Sequence, residues 1–367
     1  MHCCVSHNKN CKLKVVSNYN DYKKISSDRK FIYSDCKLMF CKKCNFFKKR
    51  VDPVYKKNVN KIYNSYDQLF ADKAVDQIKV FKPKKYRTEI TLEHLEKKMS
   101  ILKYNNYLDY GCGFGAVSNA LIRKEIPKKK IYCYDTINVL SQKIGRRINT
   151  FYKKKTEILK KFDVIFLNHV FEHLVEPEKE LLFINNIMNK NGLLVIQIPN
   201  LVKNPYDIFI FDHIYHFNKK SIIKFFSNFK LDLVYLNTRL FPENIIAVLK
   251  KTKKKKLKYS YDLKSNIELS SFLKKIDNFL IKMMRFKTVF FYGASLTTLF
   301  YCNNLKNKKI IIFDDNKNIK SNFNKNIKIY HSSKIKNYND IIIFSSIKKK
   351  IQKNLNVFSN NIRFKFL

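Results

Sequence analysis

Two histidines with a carboxylate beside them lie in an aromatic stretch at positions 207–217. His213 and His216 are three residues apart, and Asp212 directly precedes the first of them. Imidazole titrates near neutrality and a carboxylate can orient it, so this pattern is typical of a general base. The alternative is a half-buried aromatic strand or loop whose histidines only satisfy backbone groups. The residues alone leave both interpretations open.

Three of the six glycines fall within five residues, at Gly111, Gly113 and Gly115. They follow an apolar run and precede a helical pattern at 116–124, and glycine there permits a tight turn that approaches a ligand closely. Asp135, 20 residues beyond Gly115, ends the next predicted strand, where a carboxylate can accept both ribose hydroxyls of an adenosine. The pattern predicts a nucleoside cofactor, bound by either a dinucleotide oxidoreductase or an S-adenosylmethionine-dependent methyltransferase.

Metal-ligand spacing occurs near the start of the chain. Two short pairs, each with two residues between its members, are Cys4 with His7 and Cys41 with Cys44. Such pairs suit a tetrahedral structural Zn²⁺, and four protein ligands leave no open position for catalysis. Three further cysteines in this region are alternative ligands for the first pair. The competing interpretation is a reduced cysteine-rich segment without metal.

The elements that must position these residues form two α/β patterns. Short apolar runs alternate with longer amphipathic stretches from about residue 104 to 250 and again from about 262, which predicts largely parallel sheets flanked by helices. The predicted strands are 107–110, 130–134, 163–168, 193–198 and 245–249, then 288–292, 309–313 and 340–344. The basic segment 250–258 between the two patterns is interpreted as a linker, with a solvated surface loop as the alternative.

The chain therefore divides into four predicted parts. They are a zinc-binding module at 1–60, a helical connector at 61–103, a cofactor-binding α/β domain at 104–250 and a smaller Rossmann-like domain at 262–367. The turn at 293–295 in the last part lacks a full GxGxxG, so we expect that domain to pack against the rest rather than bind a dinucleotide by itself.

Composition excludes several classes of protein. The chain has 367 residues, a formal net charge of +45 and 45% hydrophobic residues, so it has enough apolar material for several cores and is not disordered. We see no membrane-spanning run and no signal peptide, and we expect a cytoplasmic protein. The charge invites a nucleic-acid partner, but the lysines are spread along the chain, and an AT-rich coding sequence explains them better.

Two further segments resemble class I methyltransferases. Residues 162–174 are similar to the fourth-strand block of those enzymes, and residues 192–200 to their fifth-strand block. The resemblance implies a set of residues along the S-adenosylmethionine cofactor: Asp109, Gly111, Cys112, Gly113, Gly115, Asp135, Asn168 and His169. Asp109 and the glycines would hold the methionine moiety and Asp135 the ribose. The stretch 151–155 lacks the polar or acidic residue usual against the adenine, so adenine recognition is unassigned.

The whole arrangement resembles the sugar C-methyltransferases that act on nucleotide-linked 4-keto sugars. The segments that carry this resemblance in the C-terminal part are 291–295, 312–316 and 340–344. It implies a class I methyltransferase sheet with an N-terminal zinc module and a C-terminal Rossmann-like domain. It also implies a set of catalytic residues: His213 as the base, Asp212 as its orienting carboxylate, His173 as a second histidine, and a connector tyrosine that is Tyr63 or, preferably, Tyr66.

Two positions depart from that family. Asp212 stands where glutamate is usual, and Ile210 stands at the position of another family tyrosine. The expected reaction is carbon methylation of a nucleotide-linked keto-deoxysugar through an enolate. The alternatives are oxygen or nitrogen methylation of another acceptor, and an RNA-binding or RNA-modifying protein. We expect a small-molecule partner, neither a membrane nor a nucleic acid, and a monomer or homodimer.

Overall fold

The computed structural model divides the chain into two compact units. It describes residues 12–41, 46–65, 85–137, 148–227, 229, 231–251, 268–305, 307–315, 326–338, 342–345 and 362–366. The first unit comprises Met1–Val16, Cys36–Ile208 and Asp212–Asn266, and the second comprises Ser17–Asp35, Phe209–Phe211 and Ile267–Leu367. The predicted 1–60 module is thus shared between the two units.

A seven-stranded mixed sheet forms the centre of the first unit. Its strands are Tyr107–Tyr110 (β6), Ile131–Tyr134 (β7), Thr150–Tyr152 (β8), Phe162–Asn168 (β9), Met188–Pro199 (β10), Leu231–Asn237 (β12) and Asn244–Lys251 (β13). Their order across the sheet is β12-β13-β10-β9-β6-β7-β8. The five strands β6 to β10 are parallel to one another, and β13 is antiparallel to both of its neighbours. The inner strands are continuous apolar runs because helices cover both faces of such a sheet. The predicted α/β fold with a largely parallel sheet is confirmed.

Within the described residues, five helices belong to this unit. They are Pro53–Asn64 (α1), Arg87–Met99 (α2), Ala116–Arg123 (α3), Pro177–Ile187 (α4) and Lys219–Phe226 (α5). The start of α1 is set by Asp52, whose side chain accepts a hydrogen bond from the backbone N–H of Tyr55, and by a proline in the first turn. Asn218 caps α5 in the same way through the N–H of Ser221. Leu92 of α2 lies in the hydrophobic core that α3 and the sheet share.

A second, four-stranded sheet joins the N-terminal part of the unit to the histidine stretch. Its strands are Lys14–Val15 (β1), Leu38–Cys41 (β4), Phe46–Lys49 (β5) and Tyr215–His216 (β11), in the order β1-β4-β5-β11. Strand β11 pairs antiparallel with β5, with Tyr215 opposite Lys48 and His216 opposite Phe47. The stretch at 207–217 therefore supplies the edge strand of the N-terminal sheet.

The second unit contains a parallel sheet of its own. Its strands are Thr288–Tyr292 (β14), Lys309–Asp314 (β15), Ile327–His331 (β16), Ile342–Ser345 (β17) and Arg363–Phe366 (β18), in the order β16-β15-β14-β17-β18. Two helices, Leu269–Met284 (α6) and Leu296–Asn304 (α7), and the short hairpin Lys24–Ile25 (β2) with Phe31–Ile32 (β3) accompany it. Throughout the described part of the chain, no helix is both long and apolar enough to cross a membrane.

Replacing Leu194 with alanine should lower the free energy of unfolding by about 2–5 kcal/mol, because this fully buried side chain of β10 would leave a cavity. Leu182, 58% exposed on α4, is the matched control, and Leu182→Ala should cost less than about 0.5 kcal/mol. Urea denaturation followed by circular dichroism measures both changes. Equal effects would contradict the placement of Leu194 in the core.

Candidate active site

The glycine turn lies at the carboxyl end of β6, where ligands of parallel sheets bind. Gly111, Gly113 and Gly115 all have positive φ, at 70°, 50° and 74°. A Cβ on Gly111 would lie 2.6 Å from Cγ2 of Val170, whereas a Cβ on Gly113 would meet nothing within 4 Å. Gly111 is therefore required by packing, and Gly113 borders open space that a ligand can occupy.

Asp135 lies against this turn, as the sequence predicted. Its Oδ2 accepts a hydrogen bond of 2.8 Å from the N–H of Gly113, and its Oδ1 one of 3.0 Å from the N–H of Ile137. Burial raises the pKa of Asp135, and these backbone donors oppose that effect. The structure thus links the acidic residue predicted at the ribose to the glycine predicted beside it.

Asp109 makes different contacts from those implied by the resemblance. Its buried Oδ2 accepts hydrogen bonds from the backbone N–H and the hydroxyl of Ser118, at 3.0 and 2.7 Å. Ser118 is in the first turn of α3, so this oxygen of Asp109 fixes the start of the helix. The assignment of Asp109 to the methionine moiety of a cofactor stays a prediction, and Oδ2 serves the start of the helix.

The other predicted cofactor residues lie along the same edge of the sheet. The thiol of Cys112 is buried, and a hydrogen bond with the thiol of Cys133 raises its pKa. Because this thiol is already occupied, the backbone of Cys112 is the part that can face a cofactor. Asn168 lines a small pocket together with Gln197 at the ends of β9 and β10. His169 has a left-handed backbone with φ 56°, and its N–H donates to the carbonyl of Gln197 at 2.8 Å.

A buried carboxylate connects the two histidines of the 207–217 stretch. Nδ1 of His213 lies 2.7 Å from Oδ1 of Asp207, and Nδ1 of His216 lies 2.6 Å from Oδ2 of the same residue. Asp207 is 1% exposed and sits in the short 3₁₀ turn Pro205–Phe209. The carboxylate that orients His213 by hydrogen bonding is therefore Asp207, where the sequence had suggested Asp212.

Asp212 instead contacts the second predicted histidine. Its carbonyl oxygen is 3.0 Å, and its Oδ2 3.4 Å, from Nδ1 of His173. The rings of His173 and His213 pack edge to face with their centroids 4.5 Å apart. The structure thus brings all three predicted residues together, with Asp212 on the His173 side.

A connector tyrosine completes this group. The hydroxyl of Tyr63, in the last turn of α1, lies 3.0 Å from Nδ1 of His173. The preferred candidate from the sequence, Tyr66, lies outside the described residues. Of the two tyrosines that the resemblance offered, Tyr63 is the one for which a contact with the histidines is observed.

Glu172, which the sequence analysis did not select, links the cofactor edge to the histidine group. It is fully buried, its Oε1 is 3.1 Å from Nδ1 of His169, and its Oε2 has no hydrogen-bond partner within the described structure. One side-chain atom from each of Glu172, His173 and His213 lies within 4.8 Å of the other two. A charged residue four positions after the end of β9 was the signal for it in the sequence.

The proton affinities of the two histidines bound to Asp207 diverge. Burial by itself lowers the pKa of His213, but the Asp207 carboxylate, helped by Glu172 and Asp212, outweighs burial and raises that pKa above its ordinary value. Burial acts to raise the pKa of Asp207, yet the two imidazoles hold it far below its usual range. His213 is thus the stronger base.

The other two imidazoles are held neutral. Burial and the nearby Lys49 ammonium lower the pKa of His216 to about 4. Burial and the charge of His213 lower the pKa of His173. Of these three imidazoles, His213 therefore binds a proton most strongly.

Only a part of the predicted metal module can be placed. Cys41 is buried at the end of β4. The remaining predicted ligands lie outside the described residues: Cys4, His7 and Cys44.

Residues 67–236 match the sequence family described as a methyltransferase domain. No curated protein sequence matches the chain. Solved structures similar to it include the 1,6-didemethyltoxoflavin N1-methyltransferase of Burkholderia thailandensis (14% identity, 57% of this chain and 96% of that one, TM-score 0.40). The magnesium protoporphyrin IX methyltransferase of Synechocystis PCC 6803 is similar too (14% identity, 55% and 99%, TM-score 0.39). The chain spans about half the length of a further one, the pyocyanin biosynthetic protein PhzM (14% identity, 43% and 54%, TM-score 0.36). The first two of these proteins are named for unlike acceptors, and nothing about the acceptor of this chain follows from them.

We expect Gly113→Ala to weaken binding of S-adenosylhomocysteine by at least about tenfold, because the new Cβ projects into the open space beside the turn. The protein itself should remain folded, at a cost of about 1–2 kcal/mol for the positive φ. Isothermal titration calorimetry and thermal unfolding measure the two effects.

Gly111→Ala is the matched comparison, since its Cβ would strike Val170 and destabilise the fold more strongly. Unchanged affinity of Gly113→Ala for S-adenosylhomocysteine would place the cofactor elsewhere.

Proposed function

We propose that this class I S-adenosylmethionine-dependent methyltransferase methylates a carbon atom next to the ketone of a nucleotide-linked keto-deoxysugar. The observation that carries the proposal is the His213–Asp207 pair, a buried imidazole whose pKa a carboxylate raises. Removing a proton from carbon requires a base of high proton affinity placed at the acceptor. The resemblance to sugar C-methyltransferases supports the choice of acceptor.

A ketone acidifies the adjacent C–H bond, and His213 removes that proton through Nε2 while Asp207 holds the proton on Nδ1. The electron pair left on carbon forms an enolate. Tyr63, whose hydroxyl contacts His173 beside His213, is the donor that we assign to the enolate oxygen. Asp212 positions His173 through the contacts to its Nδ1.

S-adenosylmethionine supplies an electrophilic methyl group on its sulfonium. We assign its ribose to Asp135, its methionine moiety to the glycine turn, and its remaining length to Asn168 and His169. The nucleophilic carbon and the methyl group must meet in line, so holding both reactants at one sheet edge supplies much of the acceleration. Glu172 spans that edge because it contacts His169 on one side and lies beside His173 and His213 on the other.

The proposed acceptor is tested by thermal-shift measurements with S-adenosylhomocysteine and a panel of nucleotide sugars, followed by turnover. Stabilisation by a thymidine or guanosine diphosphate keto-deoxysugar, and a methylated carbon in the product, are the expected results. Cofactor binding without any sugar effect would retain the methyltransferase and overturn the sugar. Methylation on oxygen or nitrogen would overturn the carbon chemistry.

His213→Ala should lower turnover by about 10²–10⁴-fold, as expected for the loss of a general base, and should leave the affinity for S-adenosylhomocysteine unchanged. His331→Ala is the control, because His331 is a half-buried histidine of the second unit. Nδ1 of its ring hydrogen-bonds with Ser333. Steady-state kinetics and calorimetry give both quantities. Wild-type turnover in His213→Ala would exclude it as the base.

We further propose a structural Zn²⁺ bound by Cys4, His7, Cys41 and Cys44. The antiparallel pairing of β4 with β5 supports it, since Cys41 ends β4 and the CxxC segment connects the two strands. A CxxC pair is typical of a tetrahedral zinc site. The same pairing continues into β11, so the proposed metal would stabilise the sheet that carries His216.

Removing zinc with a chelator should therefore lower both the melting temperature and turnover, because structural zinc contributes directly to folding. Cys44→Ser should reproduce the effect, and Cys302→Ser, in α7, is the matched control. Metal analysis of gently purified protein measures the stoichiometry. Protein without stoichiometric zinc would rule the module out.

A further inference from the structure

We propose that Asp207 is the positioning residue of the general base: it binds two imidazoles at once and fixes His213 in the tautomer that can accept a proton. This inference rests on the proposed function for the role of His213 as the base. The residue is not among the positions that the family resemblance supplied. It stands on the contacts around one buried carboxylate.

The two hydrogen bonds define where the protons lie. Oδ1 of Asp207 is 2.7 Å from Nδ1 of His213, and Oδ2 is 2.6 Å from Nδ1 of His216. An ionised carboxylate only accepts hydrogen bonds, so each Nδ1 must carry the proton. When His213 is neutral, its Nε2 is consequently bare and available to accept a proton from a substrate.

His216 anchors the carboxylate from the other side. It is fully buried, lies in β11 opposite Phe47 of β5, and its Nε2 has no hydrogen-bond partner in the described part of the chain. A histidine enclosed in this way has no path to a substrate. Its function in the pair is to hold Oδ2 of Asp207 from a strand, so that Oδ1 stays in place for His213.

The groups around His213 favour a proton on it. Carboxylates on three sides attract the proton: Asp207, Glu172 and Asp212. Cations or potential cations nearby oppose them: His173, His216 and Lys49, whose Nζ donates to the carbonyl of His213 at 2.7 Å. Among the described residues, Asp207 is the group that we observe in a hydrogen bond with the ring of His213. Its removal should therefore alter this histidine more than removal of the others.

Asp207→Asn changes the charge and keeps the shape. The amide offers one oxygen and one NH₂, so one of the two imidazoles would face a donor and must present a bare Nδ1. If that imidazole is His213, its proton moves to Nε2 and it can no longer act as a base. In a Ser-His-Asp catalytic triad, replacing the aspartate with asparagine lowers the kcat of the enzyme about 10⁴-fold, because the histidine then adopts the wrong tautomer.

We expect Asp207→Asn to lower kcat by about 10²–10⁴-fold, with the KM of the sugar and the Kd of S-adenosylhomocysteine changed less than about threefold. The pKa of His213 should fall, because the opposite charge of Asp207 in contact with it now raises that pKa. The rising limb of the pH–rate profile for the residual activity should accordingly move to lower pH.

Histidine resonances followed by NMR against pH test the inference without any acceptor. The His213 signals are assigned by their loss in His213→Gln. A lower His213 pKa, or a proton moved to Nε2, in Asp207→Asn is the expected result. If no nucleotide sugar is turned over but this shift is found, the proposed function fails and the positioning role stands. Unchanged His213 pKa, tautomer and kcat in folded Asp207→Asn would overturn it.

Two further comparisons separate positioning from folding. Asp212→Asn is the matched control, since it removes a neighbouring carboxylate and keeps the bond at Nδ1 of His213; it should leave the His213 tautomer unchanged.

If Asp207→Asn does not fold, His216→Asn and His216→Ala replace it. The asparagine retains a donor for Oδ2 and should keep more activity than the alanine. Equal kcat values in those two variants would contradict the anchoring role of His216.

Discussion

The placement of the histidine group depends on one set of backbone contacts at Lys49. This buried residue donates from its N–H to the carbonyl of Ile214 at 2.8 Å and from its ammonium to the carbonyl of His213 at 2.7 Å. From the other side, the carbonyl of Glu172 accepts the N–H of Ile214 at 2.8 Å. A buried ammonium without a hydrogen-bond acceptor costs free energy. The backbone at His213 is therefore held where its carbonyl can accept from the Lys49 ammonium. The side chains then act from a fixed backbone.

Much of the fold was predictable because short apolar runs and clustered glycines mark its inner strands and its cofactor turn. The strands Tyr107–Tyr110 and Thr288–Tyr292 coincide with their predicted bounds, and the glycine turn follows the first of them. Two strands of the seven-stranded sheet were not predicted, Thr150–Tyr152 and Leu231–Asn237. They are its two edges, where several side chains are only half buried. An edge strand lacks the continuous apolar run that identifies an inner one.

The site was less predictable, since its contacts depend on chain reversal. The adjacent residues Asp212 and His213 seemed a natural pair, but Asp212 lies in a turn and contacts His173. The carboxylate that does bind His213 is six residues earlier, within the turn Pro205–Phe209. Tyr63 reaches His173 across 110 positions of sequence. No spacing rule encodes such contacts.

The sharing of β11 between the N-terminal sheet and the histidine stretch limits how this protein can have changed in evolution. A module attached only through a flexible linker can be exchanged or lost while the enzyme beside it survives. Here the edge strand of the N-terminal sheet belongs to the histidine stretch, so the two must be inherited together. Substitutions on β5 and on β11 are expected to co-vary among descendants, and recombination between them would be selected against.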